Sequence, residues 1–155
     1  MLKKALIWLL GILAVVFIAI QFFQPEKNQQ APDNNHLFKS ADVPENIQAM
    51  LKNACLDCHS NQTTYPWYDR VAPVSFYVAG HIDEGKDEMN LSEWGTLSPI
   101  DKINLLNKMS EEVKEGKMPL KSYTLMHKSA RLSKEQVDEL CQWAESYGME
   151  IYKGM

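Results

Sequence analysis

Apolar residues are unevenly distributed along this chain. Residues 5–23 are all apolar or Gly except Gln21, with Lys3 and Lys4 just before them. Nineteen such residues fall within the roughly 17–25 that a helix needs to cross a hydrocarbon core. A cleaved leader has a shorter apolar core and a small-x-small site. Here the run ends in Gln21-Phe22-Phe23-Gln24-Pro25, so residues 1–23 are predicted to be an uncleaved transmembrane anchor, with Lys3 and Lys4 on the cytoplasmic side. Residues 24–35 are polar, hold two prolines and lack periodicity. They are expected to form a flexible tether.

Residues 36–155 show helical period in four segments and no strand alternation. The first begins at Pro44, carries Ile47, Met50, Leu51 and Ala54 on one face, and runs into Cys55. The second opens at Pro73, places Val74, Tyr77, Val78, His81 and Ile82 together, and is expected to stop at Gly85. The third has Ser98 as N-cap and Pro99 at its first helical position, with Ile103, Leu106, Met109 (or Ser110) and Val113 inward and Gly116 as C-cap. The fourth starts with a Ser133/Gln136 capping box, faces Val137, Leu140, Cys141 and Ala144 inward, and is expected to end at Gly148. The fold class expected is all-α, a cytochrome c-like domain of about four helices behind one N-terminal transmembrane helix.

The candidate chemistry lies at the end of the first of these helices. Cys55-Leu56-Asp57-Cys58-His59 is a C-x-x-C-H sequence. In a c-type haem site two such thiols add across the vinyl groups and the adjoining imidazole binds iron. With 3 Cys and 4 His in 155 residues, chance would produce this pattern on the order of 0.001 times. Cys55 and Cys58 are therefore candidate attachment residues for one covalent haem c, and His59 is the candidate proximal ligand. Its other ring nitrogen needs a hydrogen-bond acceptor, expected from a carbonyl within residues 66–73.

For the opposite iron position Met118, just before Pro119, is favoured, because a thioether is a soft ligand and Met/His coordination raises the potential. His81 is the main rival and His127 the third; His36 receives no role. Arg70 or Asn61 could hold a haem propionate. Trp67, Tyr68, Trp94 and Trp143 could line the haem but equally serve as core, and Cys141 reads as a buried, inert thiol.

Charge narrows the partners. The formal net charge is −4, or −6 for the remainder once Lys3 and Lys4 are set aside. This disfavours nucleic acid and leaves redox proteins in or near the membrane as expected partners.

Taken together, the residues resemble a known family. His59-Ser60-Asn61, Tyr65-Pro66-Trp67-Tyr68, Pro73-Val74-Ser75, His81-Ile82 with Glu84-Gly85, Asn90-Leu91-Ser92-Glu93-Trp94, and Met118-Pro119 with Tyr123 and His127 are similar to the bacterial haem-binding domain family of small exported c-type cytochrome-like proteins. The likeness runs from about residue 36 to residue 143. Lys86, Leu91 and Lys128 depart from the residues the family often has there, Arg, Phe and Pro. The Met-Pro loop ahead of a capped terminal helix also resembles class I cytochromes c, which supports Met118.

The expectation is a membrane-anchored monohaem electron carrier rather than an enzyme, single-pass in a bacterial inner membrane with the haem domain periplasmic. The alternative is a haem-based ligand sensor or peroxidase-like protein with a labile sixth ligand. A third reading, thiol–disulfide exchange or zinc, would need a βαβ pattern or a fourth ligand such as His81 or Cys141.

Overall fold

The computed structural model describes residues 1–155 and is all-helical. Its seven α-helices are α1 (Leu2–Ile20), α2 (Leu37–Ser40), α3 (Glu45–Ala54), α4 (Val74–Glu88), α5 (Pro99–Lys114), α6 (Lys121–Met126) and α7 (Lys134–Lys153). No strand forms; the only β feature is an isolated bridge between Gln29 and Gln62.

The core forms where the apolar stripes of α3, α5 and α7 meet. Ile47, Met50 and Leu51 of α3 pack with Leu106, Met109 and Val113 of α5 and with Leu140 and Ala144 of α7. Leu91 and Trp94 close the cluster from the segment after α4. These helices end where local chemistry dictates. The Ser98 hydroxyl accepts from the Asp101 amide and Pro99 opens α5. Gly116, at φ 68°, turns the chain after α5, a conformation that costs other residues their Cβ clearance. Ser133 and Gln136 form a reciprocal capping box at the start of α7.

Three expectations change. Gly85 does not stop α4, which runs on to Glu88. Its buried face is Ser75, Ile82 and Gly85, while Val74 and Tyr77 stay exposed. Gly148 does not stop α7 either; it is buried within the helix, and a Cβ there would meet Leu106 Cδ1 at an ordinary 3.8 Å. Both glycines are tolerated inside helices because tertiary packing outweighs a propensity cost of about 1 kcal/mol.

The polar segment expected to be a tether is partly fastened. The Asn28 amide nitrogen donates to Tyr65 Oη at 2.7 Å, and its side chain donates to Ser60 O and Thr63 Oγ1. The Gln30 amide donates to Asn61 O, and the Thr63 amide to Asn28 O. Lys27 pairs with the buried carboxylate of Asp69. Polarity without periodicity predicted freedom here; the missing information was a partner loop, residues 60–65, with complementary backbone groups.

α1 has a mean hydropathy of 2.3 and no buried residue. It is long and apolar enough to cross a membrane, by criteria that an N-terminal signal sequence also meets.

Leu140→Ala, deep between α5 and α7, is expected to lower unfolding free energy by about 2–5 kcal/mol. Ser133→Ala should cost only about 1 kcal/mol. Chemical denaturation of the full chain in detergent checks both.

Candidate functional site

The C-x-x-C-H segment continues α3 as a tight turn. The Cys58 and His59 amides both donate to Cys55 O, at 3.1 and 2.9 Å. The turn brings both thiols and the imidazole to the same hollow. Two adjoining clefts, of about 280 and 340 Å³, share Ala54, Cys55, His59, Glu88, Met118 and Pro119 along their walls. Cys58, His81, Gly85 and Tyr123 complete the first; Leu105, Met109 and Val113 give the second an apolar wall. Together they fall within the roughly 300–1,000 Å³ typical of small-molecule sites.

His59 is held from two sides by the segment after α4. Its Nδ1 lies 3.0 Å from Met89 O, and its own carbonyl accepts from the Leu91 amide at 2.8 Å. A carbonyl only accepts, so in the neutral ring Nδ1 carries the proton and Nε2 keeps a free lone pair. This is the arrangement a metal-ligating histidine needs. The acceptor is Met89, not a carbonyl of residues 66–73 as expected. Those residues instead pack beside α4 and carry the Tyr68–His127 bond.

Gly85 explains how α4 comes so close. A Cβ at this position would sit 2.7 Å from Cys58 O and 3.1 Å from Cys58 Cβ. Only hydrogen fits, which lets α4 lie directly against the motif. The conformation is ordinary; the space is not.

Met118 is half-buried against the core and lines both clefts. His81 lines the first cleft only, and its Nε2 is buried without a hydrogen-bond partner. His81 also packs edge-on to Tyr77, with ring centroids 4.3 Å apart. His127 lines neither cleft. It stacks on Tyr123 at 4.2 Å and shares a 2.7 Å hydrogen bond with Tyr68 Oη. His36 is buried and caps α2 through its Nδ1.

The periodicity analysis did not single out Asp57, the second residue between the cysteines. Its carboxylate accepts from Tyr123 Oη at 2.6 Å and from the Thr64 amide at 3.0 Å. Burial, reinforced by Asp57, pushes the Tyr123 phenol well above its usual range, so it remains a donor. This bond ties the segment carrying Met118 to the motif. The sequence signal available was only the recurrence of Tyr123 and His127 in the resemblance.

Other expected residues lie elsewhere. Arg70 and Asn61 line neither cleft; Lys108, paired with Glu88, is the cation that does. Trp94 belongs to the core and donates to Tyr147 Oη; Trp143 stacks on Tyr147, and Trp67 is exposed. Cys141 is buried, with Sγ 3.7 Å from Ser110 O.

Burial pushes the Cys55 thiol up to about 12, with neighbouring Cys58 adding to it. Cys58 is pushed up to about 11 by burial and then Asp57. A redox-active Cys-x-x-Cys has a depressed thiol pKa instead, so thiol–disulfide exchange is disfavoured. No three His, Cys, Asp or Glu side chains are arranged to hold a metal ion among themselves.

Glycine 85 offers a direct check. Gly85→Ala should displace Cys58 and markedly reduce haem uptake, read by pyridine haemochrome per polypeptide. Gly80→Ala, with nothing within 4 Å of the added Cβ, should keep full uptake and gain up to about 1 kcal/mol of stability.

A family model described as "Haem-binding domain" matches residues 15–146. No curated protein and no solved structure shows a significant match to the chain.

Proposed function

The chain belongs to the haem-binding domain family, and from that premise we propose that it is a membrane-anchored monohaem c-type cytochrome that carries single electrons on the exported side of a bacterial inner membrane. The observation that carries this reading is the convergence of Cys55, Cys58 and an imidazole with a free Nε2 on one cleft. The residues fit such a group: two thiols, a histidine whose Nδ1 is already satisfied, a thioether and a second imidazole line the same cleft.

Cys55 and Cys58 would each add S–H across a vinyl C=C. A C–S and a C–H bond form as the π bond and the S–H bond break, so no oxidant is consumed. His59 supplies the Nε2 lone pair, and the Met89 carbonyl keeps that ring turned and in one tautomer. Met118, which lines both clefts, would offer its thioether as a second iron ligand. Leu105, Met109 and Val113 exclude water from one wall. When bound, the haem supplies an iron that takes up and returns one electron. α1 would hold the domain at the membrane and raise its effective concentration near redox partner proteins there.

One observation favours a second opposing ligand: the unpartnered, buried Nε2 of His81 in the first cleft. An unmet buried polar nitrogen is costly, and an iron would satisfy it.

After expression with cytochrome maturation machinery, the haem should stay with the polypeptide through acid–acetone extraction, and the Cys55→Ala/Cys58→Ala pair should release it. A colourless matured protein would sink the proposal. The ferric form should show the weak far-red band of sulfur–iron ligation, lost in Met118→Ala and kept in His81→Ala. Absence of that band in the unsubstituted protein, with the spectrum unchanged in Met118→Ala and altered in His81→Ala, would assign His81. Rapid, complete carbon monoxide binding to the ferrous protein would instead support the ligand-sensor or peroxidase-like reading.

A further inference from the structure

Gln21 sits where α1 ends, and its side chain clasps a distant residue. Its Nε2 donates to Ala72 O at 3.0 Å, and its Oε1 accepts from the Ala72 amide at 2.9 Å. The backbone just before α4 is thereby fastened to the end of the apolar helix. On the reading that α1 crosses a bilayer, on which this inference rests, Ala72 lies at the level where the helix leaves the hydrocarbon.

The surface around that clasp is unusual for this chain. Phe22 and Phe23 are 83% and 70% exposed, Trp67 is 75%, Tyr77 58% and Phe76 47%, with Val71 at the exposed edge as well. All lie within five residues of Gln21 or Ala72 in sequence. Single exposed apolar side chains are ordinary; here five exposed aromatic ones flank, along the chain, the two residues that the clasp joins. Charge separates the possible occupants. Residues 64–82 contain only two formal charges, Asp69 and Arg70. Asp69 is buried and paired with Lys27, so Arg70 is the one exposed ion in this stretch. The nearest exposed carboxylates along the chain are Glu26 on one side and Asp83 and Glu84 on the other, so residues 64–82 themselves offer no exposed carboxylate to an anionic surface.

We infer that the face carrying Phe22, Phe23, Trp67, Val71, Phe76 and Tyr77 rests on the lipid bilayer that α1 enters. Trp and Tyr favour the headgroup level, where an apolar ring and a polar tip are both satisfied. Arg70 meets anionic headgroups there. The contact also fixes the domain's orientation. Tyr77 packs on His81, and His81 lines the first cleft, so that cleft begins one helical turn from the lipid. The haem-binding face is thus held beside the membrane rather than swinging free on its tether.

The test uses the full matured chain in vesicles of equal parts phosphatidylcholine and phosphatidylglycerol, in a Cys141→Ala background whose own labelling sets the baseline. A nitroxide is placed at Trp67→Cys or Phe76→Cys, with Leu10→Cys and Glu145→Cys as references. Collision with oxygen against a water-soluble nickel chelate, read by power saturation, reports depth. The expected result is a label at 67 and 76 that favours oxygen, lying between the buried Leu10→Cys and the aqueous Glu145→Cys. If Leu10→Cys is in lipid while 67 and 76 behave as Glu145→Cys does, the docking face is overturned and the anchor stands. If Leu10→Cys is itself in water, the anchor reading fails and this inference with it.

Discussion

The imidazole of His59 has two nitrogens, and the fold commits one of them. Met89 O accepts a hydrogen bond from Nδ1–H with an N···O distance of 3.0 Å, and the Leu91 amide donates to the carbonyl of His59 itself. A ring held in this way cannot rotate without breaking a half-buried hydrogen bond, and it presents its remaining lone pair to the cleft. The motif would otherwise be three side chains on a mobile turn. The Met89–Leu91 segment can reach His59 because α4, which it follows, lies against Cys58, and α4 can lie there because residue 85 has no side chain.

The opposite wall is built by a separate device. Met118 follows α5 and the Gly116 turn, and the downstream segment is tied back by Tyr123 to Asp57 within the motif. Burial and then Asp57 push that phenol's pKa up, which keeps it a hydrogen-bond donor to the carboxylate. Two anchor points, Met89 on one side and Tyr123 on the other, thus set the width of the cleft. Stacking with His127 and the His127–Tyr68 bond extend the brace to the segment before α4.

The N-terminal part is joined to this brace more tightly than its composition suggests. Residues 27–30 bond to residues 60–65, immediately after the motif, and Gln21 bonds to Ala72. The apolar helix, the loop after the motif and the start of α4 are therefore mechanically connected. The family match beginning at residue 15 spans this joint. Each of these bonds alone is worth only about 0.5–1.5 kcal/mol net. Their number in one region is what opposes independent motion of the apolar helix and the rest of the chain.

Much of the architecture was legible in the chain because it is decided locally. The stripes of α3, α5 and α7, the Ser98 and Ser133 caps, the Gly116 turn and the identity of the motif all arise from residues within one or two turns of each other. Gly85 and Gly148 were misread as stops for the same reason: a glycine's local meaning is termination, whereas both lie inside helices held by tertiary packing, and Gly85 makes room for Cys58. The Met89 carbonyl, 30 residues from His59, and the Asp57–Tyr123 tie, 66 residues apart, leave no periodic trace. Sequence alone determined the helices and the chemical groups. Tertiary structure decided which acceptor turns the imidazole, which helix lies on the motif and how the apolar segment is fastened, because those contacts join groups whose proximity exists only once the core has closed.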